Sequence, residues 1–266
     1  MKAQELLLHY DNCQCWPKPI SARHGYDTNA AYQDALAVRD LRKARGEIPR
    51  GYKIGFTNRT IWNRYNVLGP IWGTVWNTTL SFCDGAQDVS LTGICQPRIE
   101  PEIVFGFKQT PQSDATLEDI YQCLEWMAPG FEIVQSHMPH WKFEAADTIA
   151  DGGLHGRLVV GEKAVVSSIA KSATELHNQL AHASVNLFRN EVQVEVGIGA
   201  HVLDSPLQAL QYFLKGLRSC PGSTDIQPGD VVTTGTWTDA YPVTSGESWS
   251  ASFSLSKFSL AVRFED

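Results

Sequence analysis

A pair of glutamates on alternate positions of an apolar run constrains this chain more than any other feature. In Pro97-Arg98-Ile99-Glu100-Pro101-Glu102-Ile103-Val104-Phe105, the strand period of two sends Glu100 and Glu102 to one face and Pro101 and Ile103 to the other. Two like charges then share one small space, which is costly to bury unless a cation or protons neutralise them. Glu132 raises the same question, because Gly130-Phe131-Glu132-Ile133-Val134 gives it large apolar neighbours and no Lys or Arg close in sequence. Carboxylates offering only oxygen, with positions left for water or substrate, suit Mg²⁺ or Mn²⁺ rather than Zn²⁺. The competing reading is a solvent-facing strand pair and an unrelated third glutamate, since Glu-x-Glu is common on exposed sheet faces.

The chain has 266 residues, 43% of them hydrophobic, enough for a substantial core in one large domain or two small ones. Its net charge of -7, with no basic stripe, argues against nucleic acid or an anionic membrane as the main partner. No segment approaches the ~20 apolar residues of a membrane span. The N-terminus, with Glu5 inside its short apolar stretch, reads as a helix start rather than a signal peptide. Cys13, Cys15, Cys83, Cys95, Cys123 and Cys220 are scattered, which favours reduced thiols and a cytoplasmic setting. Cys13-x-Cys15 lacks a second pair at zinc spacing, so these two read as ordinary loop thiols.

Helical spacing over 29–45, stopped by Gly46, predicts a packing helix. Further helices are expected over Leu117–Met127, Ser168–Ala183 and Pro206–Leu217, the last with Ser205 as N-cap and Pro206 at its first position. Strands are expected from Tyr52, at Arg157–Val160, across 193–202, near Asp230–Thr234 and over Phe258–Phe264, with a hairpin around Arg189-Asn190-Glu191. The class is α+β, divided into a mainly helical portion over 1–65 and a β-rich portion over 66–266, the two forming one continuous unit.

Several segments, taken in order, carry a resemblance. Gly51-Tyr52-Lys53-Ile54-Gly55-Phe56-Thr57, Pro97–Glu102, Gly130–Val134, Asp147-Thr148-Ile149-Ala150-Asp151 and Pro228-Gly229-Asp230-Val231-Val232-Thr233-Thr234-Gly235-Thr236 together resemble the 2-oxopent-4-enoate hydratase and 2-oxo-3-enedioate decarboxylase family of the fumarylacetoacetate-hydrolase-like superfamily. The resemblance implies a mixed β-roll core, Mg²⁺ or Mn²⁺ held by Glu100, Glu102 and Glu132, a 2-oxo acid as the small-molecule partner, and a homo-oligomer, with work inside an enzyme complex also open. It matches Lys53 to a lysine beside the metal. From the residues alone, Lys53 leaves the apolar face of Tyr52, Ile54 and Phe56 and is either a cavity lysine or a surface one. A nearby cation is expected to lower its pKa.

Asp147 and Asp151 are expected to orient Lys53 or a bound water, with capping and surface solvation as the alternative. Gly235 and Thr236 are candidates for binding an anionic substrate group, unless they form only a turn. The chain departs from the family where an Asp-x-Gly acid is usual, for Ile71 stands there in Pro70-Ile71-Trp72-Gly73. Ile71 and Trp72, with Trp76 and Trp237, are therefore expected to build an apolar substrate pocket. His155 is the expected replacement acid-base group, the alternative being a surface histidine. His137 and His140 make a poor metal pair because Pro139 interrupts them. The expected activity is a hydratase or decarboxylase working through a metal-stabilised enolate. A C–C hydrolase using His24, or a non-catalytic metal-binding homologue, are the alternatives.

Overall fold

A computed structural model describes residues 1–266 apart from Asn66, Leu68, Lys257 and the side chain of Arg64. The helices are α1 (Ala3–Asp11), α2 (Thr28–Ala44), α3 (Trp62–Tyr65), α4 (Leu117–Cys123), α5 (Ala145–Ala150), α6 (Val166–Ile169), α7 (Ala173–His182) and α8 (Pro206–Ser219). The strands are β1 (Pro49–Gly55), β2 (Ile71–Trp76), β3 (Leu80–Phe82), β4 (Ala86–Ser90), β5 (Arg98–Phe107), β6 (Leu124–Val134), β7 (His155–Val160), β8 (Ala164–Val165), β9 (Ser184–Arg189), β10 (Val192–Ile198), β11 (Val231–Thr233), β12 (Tyr241–Pro242), β13 (Ser248–Phe253) and β14 (Ser259–Glu265). This is the expected α+β arrangement with a mixed β-rich core.

The larger sheet runs β2-β1-β11-β5-β6-β7-β3, with β12 added to β5 and β8 to β6; the smaller runs β10-β9-β13-β14-β4. β1 pairs parallel with β11 and antiparallel with β2, so it lies inside the large sheet although it falls in the segment expected to be mainly helical. The helical layer is α1 and α2, and the expected 65/66 junction touches Asn66, outside the described residues. α2 starts where Asp27 accepts from the Ala30 N–H at 2.9 Å and ends before Gly46, whose φ of 98° only glycine adopts cheaply.

Two expected helices are shorter than their sequence pattern. The first stops at Cys123, because Leu124 to Val134 pairs with β5 along its whole length and Trp126 packs against Gly106. Propensity loses there to a long antiparallel ladder. The second breaks after Ile169, and Ser172 caps a fresh helix by accepting from the Glu175 N–H. The hairpin turns at Asn190 and Glu191, with φ of 48° and 67°, the left-handed pair that two-residue hairpins need.

The contact between β1 and β11 is unusually close. Gly51 has φ of 134°, and a Cβ there would lie 1.8 Å from the Val231 carbonyl oxygen. Gly51→Ala is therefore expected to destabilise the protein by at least ~1–3 kcal/mol, read as a lower denaturant midpoint. Wild-type stability in that variant would show that β1 can move away from β11 without cost.

Candidate metal centre and active site

Register builds the carboxylate cluster. β5 and β6 pair so that Glu100 lies directly opposite Glu132, and Glu102 follows on the same face of β5. One carboxylate oxygen from each of Glu100, Glu102 and Glu132 lies within 4.8 Å of the others, and this is the only such group of metal-capable side chains among the described residues. Lys53 arrives from β1, where it pairs with Thr233 of β11 and Gly73 of β2. Its Nζ lies 3.0 Å from Glu132 Oε2, with both residues buried. That contact is a buried ion pair.

Two of the three carboxylates are held by named partners. Glu102 Oε2 accepts from the Gly235 N–H at 2.7 Å and from the Thr233 hydroxyl, while its buried Oε1 has no partner. Glu132 Oε1 lies 2.9 Å from His155 Nδ1, and His155 Nε2 lies 2.7 Å from Thr79 Oγ1. Because the carboxylate only accepts, Nδ1–H donates to Glu132, and in the neutral ring Nε2 accepts from the Thr79 hydroxyl. Burial favours that neutral ring, pulling His155 below the usual histidine value against the Glu132 charge.

The electrostatics follow from this crowding. Burial pushes Glu100 up to about 7, Glu132 adding to it while Lys53 and Arg98 oppose. Burial, then the charges of Glu132 and Glu100, raise Glu102 well above the ordinary carboxylate range. Burial disfavours the Lys53 ammonium, but the three glutamates outweigh it and hold Lys53 above the usual lysine value. The unpartnered Oε1 of Glu102, within a set of hard oxygen donors, fits a divalent ion of the Mg²⁺ type.

A cavity of about 550 Å³ opens beside the cluster. Lys53, Glu100, Ile71, Gly235, Thr236 and Trp237 line it, as expected. Opposite them stands an aromatic wall that the sequence did not announce, in which Phe56 stacks on Tyr65 at 4.8 Å, Tyr65 on Phe143 at 5.7 Å, and Trp141 tilts against Phe143 at 6.0 Å. The Arg98 guanidinium lies over Trp141 at 4.2 Å. These aromatics come from three segments, the end of β1, α3 and the stretch before α5, and share no common motif, whereas Arg98 had a signal, being in phase with Glu100 on β5.

Other expected residues lie elsewhere. Trp72 faces away from this cavity and stacks on Tyr32 of α2 at 4.5 Å, because adjacent residues of β2 point to opposite sides and Ile71 takes the cavity side. Trp76 shares the Trp72 side. Asp147 is buried, but it accepts from the Ser21 N–H at 2.9 Å, the Ser21 hydroxyl at 2.7 Å and the Glu144 N–H at 3.0 Å, which ties α5 to the loop before α2 rather than to Lys53. Asp151 pairs with His137 Nδ1 at 2.6 Å. The Gly235 N–H is engaged by Glu102, so it is not free for a substrate anion. His155 stands behind Glu132 and does not line the cavity, and exposed His24 is also absent from its wall. Cys13 and Cys15 are free thiols, Cys15 Sγ lying 3.8 Å from Cys95 Sγ.

No family model matches the chain. It is 30% identical over 232 residues to 2-hydroxyhexa-2,4-dienoate hydratase of Comamonas testosteroni, covering 86% of this chain and 84% of that protein. The chain belongs to the 2-oxopent-4-enoate hydratase family. Another relative, 2-hydroxypent-2,4-dienoate hydratase of Pseudomonas putida, is 29% identical over 202 residues, 75% of this chain and 86% of that one. Among solved structures, 4-oxalocrotonate decarboxylase from Pseudomonas putida G7, complexed with magnesium and adipate, superposes with a TM-score of 0.87 at 24% identity, over 98% of this chain and 95% of that one. Fumarylpyruvate hydrolase from Pseudomonas aeruginosa, in complex with Mn²⁺ and pyruvate, superposes at 0.58 with 13% identity, over 82% and 90%. Both likenesses place this hydratase-family chain in the fumarylacetoacetate-hydrolase-like fold.

A sign follows for pH. Glu100, at about 7 in the folded protein, and Glu102 hold protons that an unfolded chain releases above about 4.5. Metal-free stability therefore falls as pH rises from about 5 towards 7. A divalent ion replaces those protons, so its stabilisation grows over the same interval. The Tm difference between Mg²⁺ and chelator is expected to widen from about pH 5 to about pH 8. A gap independent of pH would remove these glutamates from metal binding.

Proposed function

We propose that this chain is a divalent-metal-dependent lyase acting on a 2-oxo acid or its enol, as a hydratase or decarboxylase. The observation that carries the reading is the Glu100–Glu132 cross-strand pair with Glu102 and Lys53, open to a cavity of about 550 Å³. Glu100, Glu102 and Glu132 are assigned as the ligands of Mg²⁺ or Mn²⁺. When bound, the ion supplies Lewis-acid polarisation of a substrate carbonyl oxygen, the site at which hydration and decarboxylation both develop negative charge.

The chain's own residues supply the rest. Gly235 N–H, the Thr233 hydroxyl and His155 hold Glu102 and Glu132 in place, leaving Glu102 Oε1 without a partner and Glu132 Oε2 beside Lys53. His155 is thus a positioning residue in this reading rather than the acid-base group. Lys53, whose Nζ borders both the cluster and the cavity, is assigned to move the proton at substrate C3. Ile71, Trp237 and the Phe56–Tyr65–Phe143–Trp141 wall exclude water around the carbon chain, and Arg98 offers a positive charge to an acid group. Asp147 is assigned a structural role through Ser21.

Copies of the chain are assigned to associate through β10. It is an edge strand of the smaller sheet and exposes Val192, Val196 and Ile198. Six free thiols support a reducing, cytoplasmic setting.

The test is NMR of C3 deuterium exchange and product formation with 2-oxo acids, in Mg²⁺, Mn²⁺ and chelator. Exchange is expected only with metal, and the product separates hydration from decarboxylation; absence of exchange on every acid would overturn the lyase reading. Lys53→Met is expected to keep the Mg²⁺-induced Tm rise while slowing exchange by about 10²–10⁴-fold. Unchanged exchange would take Lys53 out of the chemistry. Glu102→Ala is expected to lose the Mg²⁺-induced rise, and wild-type metal affinity there would remove Glu102 from the ligand set.

A further inference from the structure

Two thiols meet at a junction that the proposed lyase chemistry does not use. Cys15, on the loop after α1, has its Sγ 3.8 Å from Sγ of Cys95, which stands just before β5. The two are 80 residues apart in sequence. Cys15 is exposed, whereas Cys95 is only 5% exposed. A disulfide needs the sulfurs to close to about 2.05 Å, so the bond lies within a short movement of the exposed loop.

Both cysteines are held by the same stretch of backbone. Beside Cys15, the Trp16 N–H donates to the His137 carbonyl at 2.7 Å, while the Ser136 N–H donates to the Cys95 carbonyl at 3.0 Å. The Cys95 N–H in turn donates to Gln135 Oε1 at 3.0 Å. Gln96 bridges the junction: its Nε2 donates to the Ser136 and Met138 carbonyls at 2.7 and 2.8 Å and lies 3.7 Å from Cys15 Sγ. The sulfurs therefore face each other in a fixed frame, and such placement makes a reaction between them intramolecular.

Access divides their roles. Cys15 is open to a small oxidant from solution. Burial, then the neighbouring Cys15 and Cys13, pushes the Cys95 thiol up, so Cys95 stays protonated until a partner sulfur is presented to it. Cys13 is a third thiol beside the pair, raised by burial while its contact with Cys95 opposes that rise.

We propose that Cys15 and Cys95 are a reversible oxidation site, which a hydroperoxide closes to a disulfide. Cys15 sulfur attacks one peroxide oxygen; the S–O bond forms as O–O breaks, and the second oxygen leaves as water with the thiol proton. Cys15, oxidised by two electrons, is then a sulfenic acid. Cys95 sulfur attacks it, the S–S bond forms as S–O breaks, and the hydroxide leaves with the Cys95 proton as a second water. Two thiols and one H₂O₂ thus give one disulfide and two waters. A pair of this kind suits a reducing compartment, where disulfides are transient and report oxidation. The site lies outside the glutamate cluster and does not depend on the lyase reading.

The full chain, reduced and with chelator present, is treated with hydrogen peroxide, blocked with N-ethylmaleimide, digested and mapped by mass spectrometry. Expected is a bond between the Cys15 and Cys95 peptides, with fragment ions separating Cys15 from Cys13. Thiols titrated in denaturant are expected to fall by two from six and to return with dithiothreitol. Cys15→Ser, at an exposed position, is expected to leave Cys95 a free thiol at the same dose, and Cys13→Ser to keep the bond. A bond from Cys13 to Cys95, or one formed only between copies of the chain, would overturn the proposal. So would Cys15 carried on to sulfinic acid with Cys95 still free, or Cys95 oxidised equally in Cys15→Ser. The wild-type map needs no variant and decides should either one fail to fold.

Discussion

The antiparallel register of β5 and β6 is the constraint on which the site depends. It sets Glu100 opposite Glu132 in the middle of a sheet that also carries much of the apolar core. A slip of one residue would turn every side chain of β5 over, burying Pro101 and Ile103 where the carboxylates now stand. Long pairing on both sides holds that register, since β11 takes one edge of β5 and β7 the far edge of β6. The same sheet brings β1 next to β11, and so Lys53 next to Thr233 and the glutamates.

Concentrating three carboxylates in a core opposes folding unless each negative charge meets something positive or polar. The fold answers with one buried cation in contact, Lys53, with Arg98 acting on Glu100 from further off, and with neutral donors: a backbone N–H, a threonine hydroxyl and a neutral histidine. One cation cannot balance three anions, which is why burial leaves Glu100 and Glu102 holding protons so readily. A neutral His155 suits this balance, because an imidazolium would compete with a metal ion for Glu132 while a neutral N–H only orients it.

Much of this was legible before the structure. The Glu-x-Glu alternation, the Lys53 face and the third glutamate all follow from a period of two, and the structure brings the four together. What failed was inference from proximity in sequence. Asp147 and Asp151 lie close to the resembling motif, yet Ser21 and His137 claim them from distant segments. Trp72 was grouped with Ile71, although the alternation that placed Glu100 and Glu102 correctly also sends Ile71 and Trp72 to opposite sides of β2. The aromatic wall had no signal at all, since Phe56, Tyr65, Trp141 and Phe143 meet only through tertiary packing.

Backbone strain marks where that packing is enforced. Phe56, His140 and Trp141 have φ of 56°, 58° and 57°, a region that bulky side chains rarely adopt. Phe56 turns the chain out of β1 just beyond Lys53, and its carbonyl accepts from Trp62 Nε1 at 2.7 Å. Trp141 is held by its own indole N–H, donating to the Gln96 carbonyl at 3.0 Å, at the entry to β5. Phe56 is thus tied to α3 directly after β1 and Trp141 to the start of β5, and both present a ring to the same cavity. Such conformations persist only where neighbouring contacts outweigh their cost. Here those contacts fix an apolar wall beside the carboxylates, so the volume left for a carbon chain is bounded from the ends of β1, which carries Lys53, and β5, which carries Glu100 and Glu102.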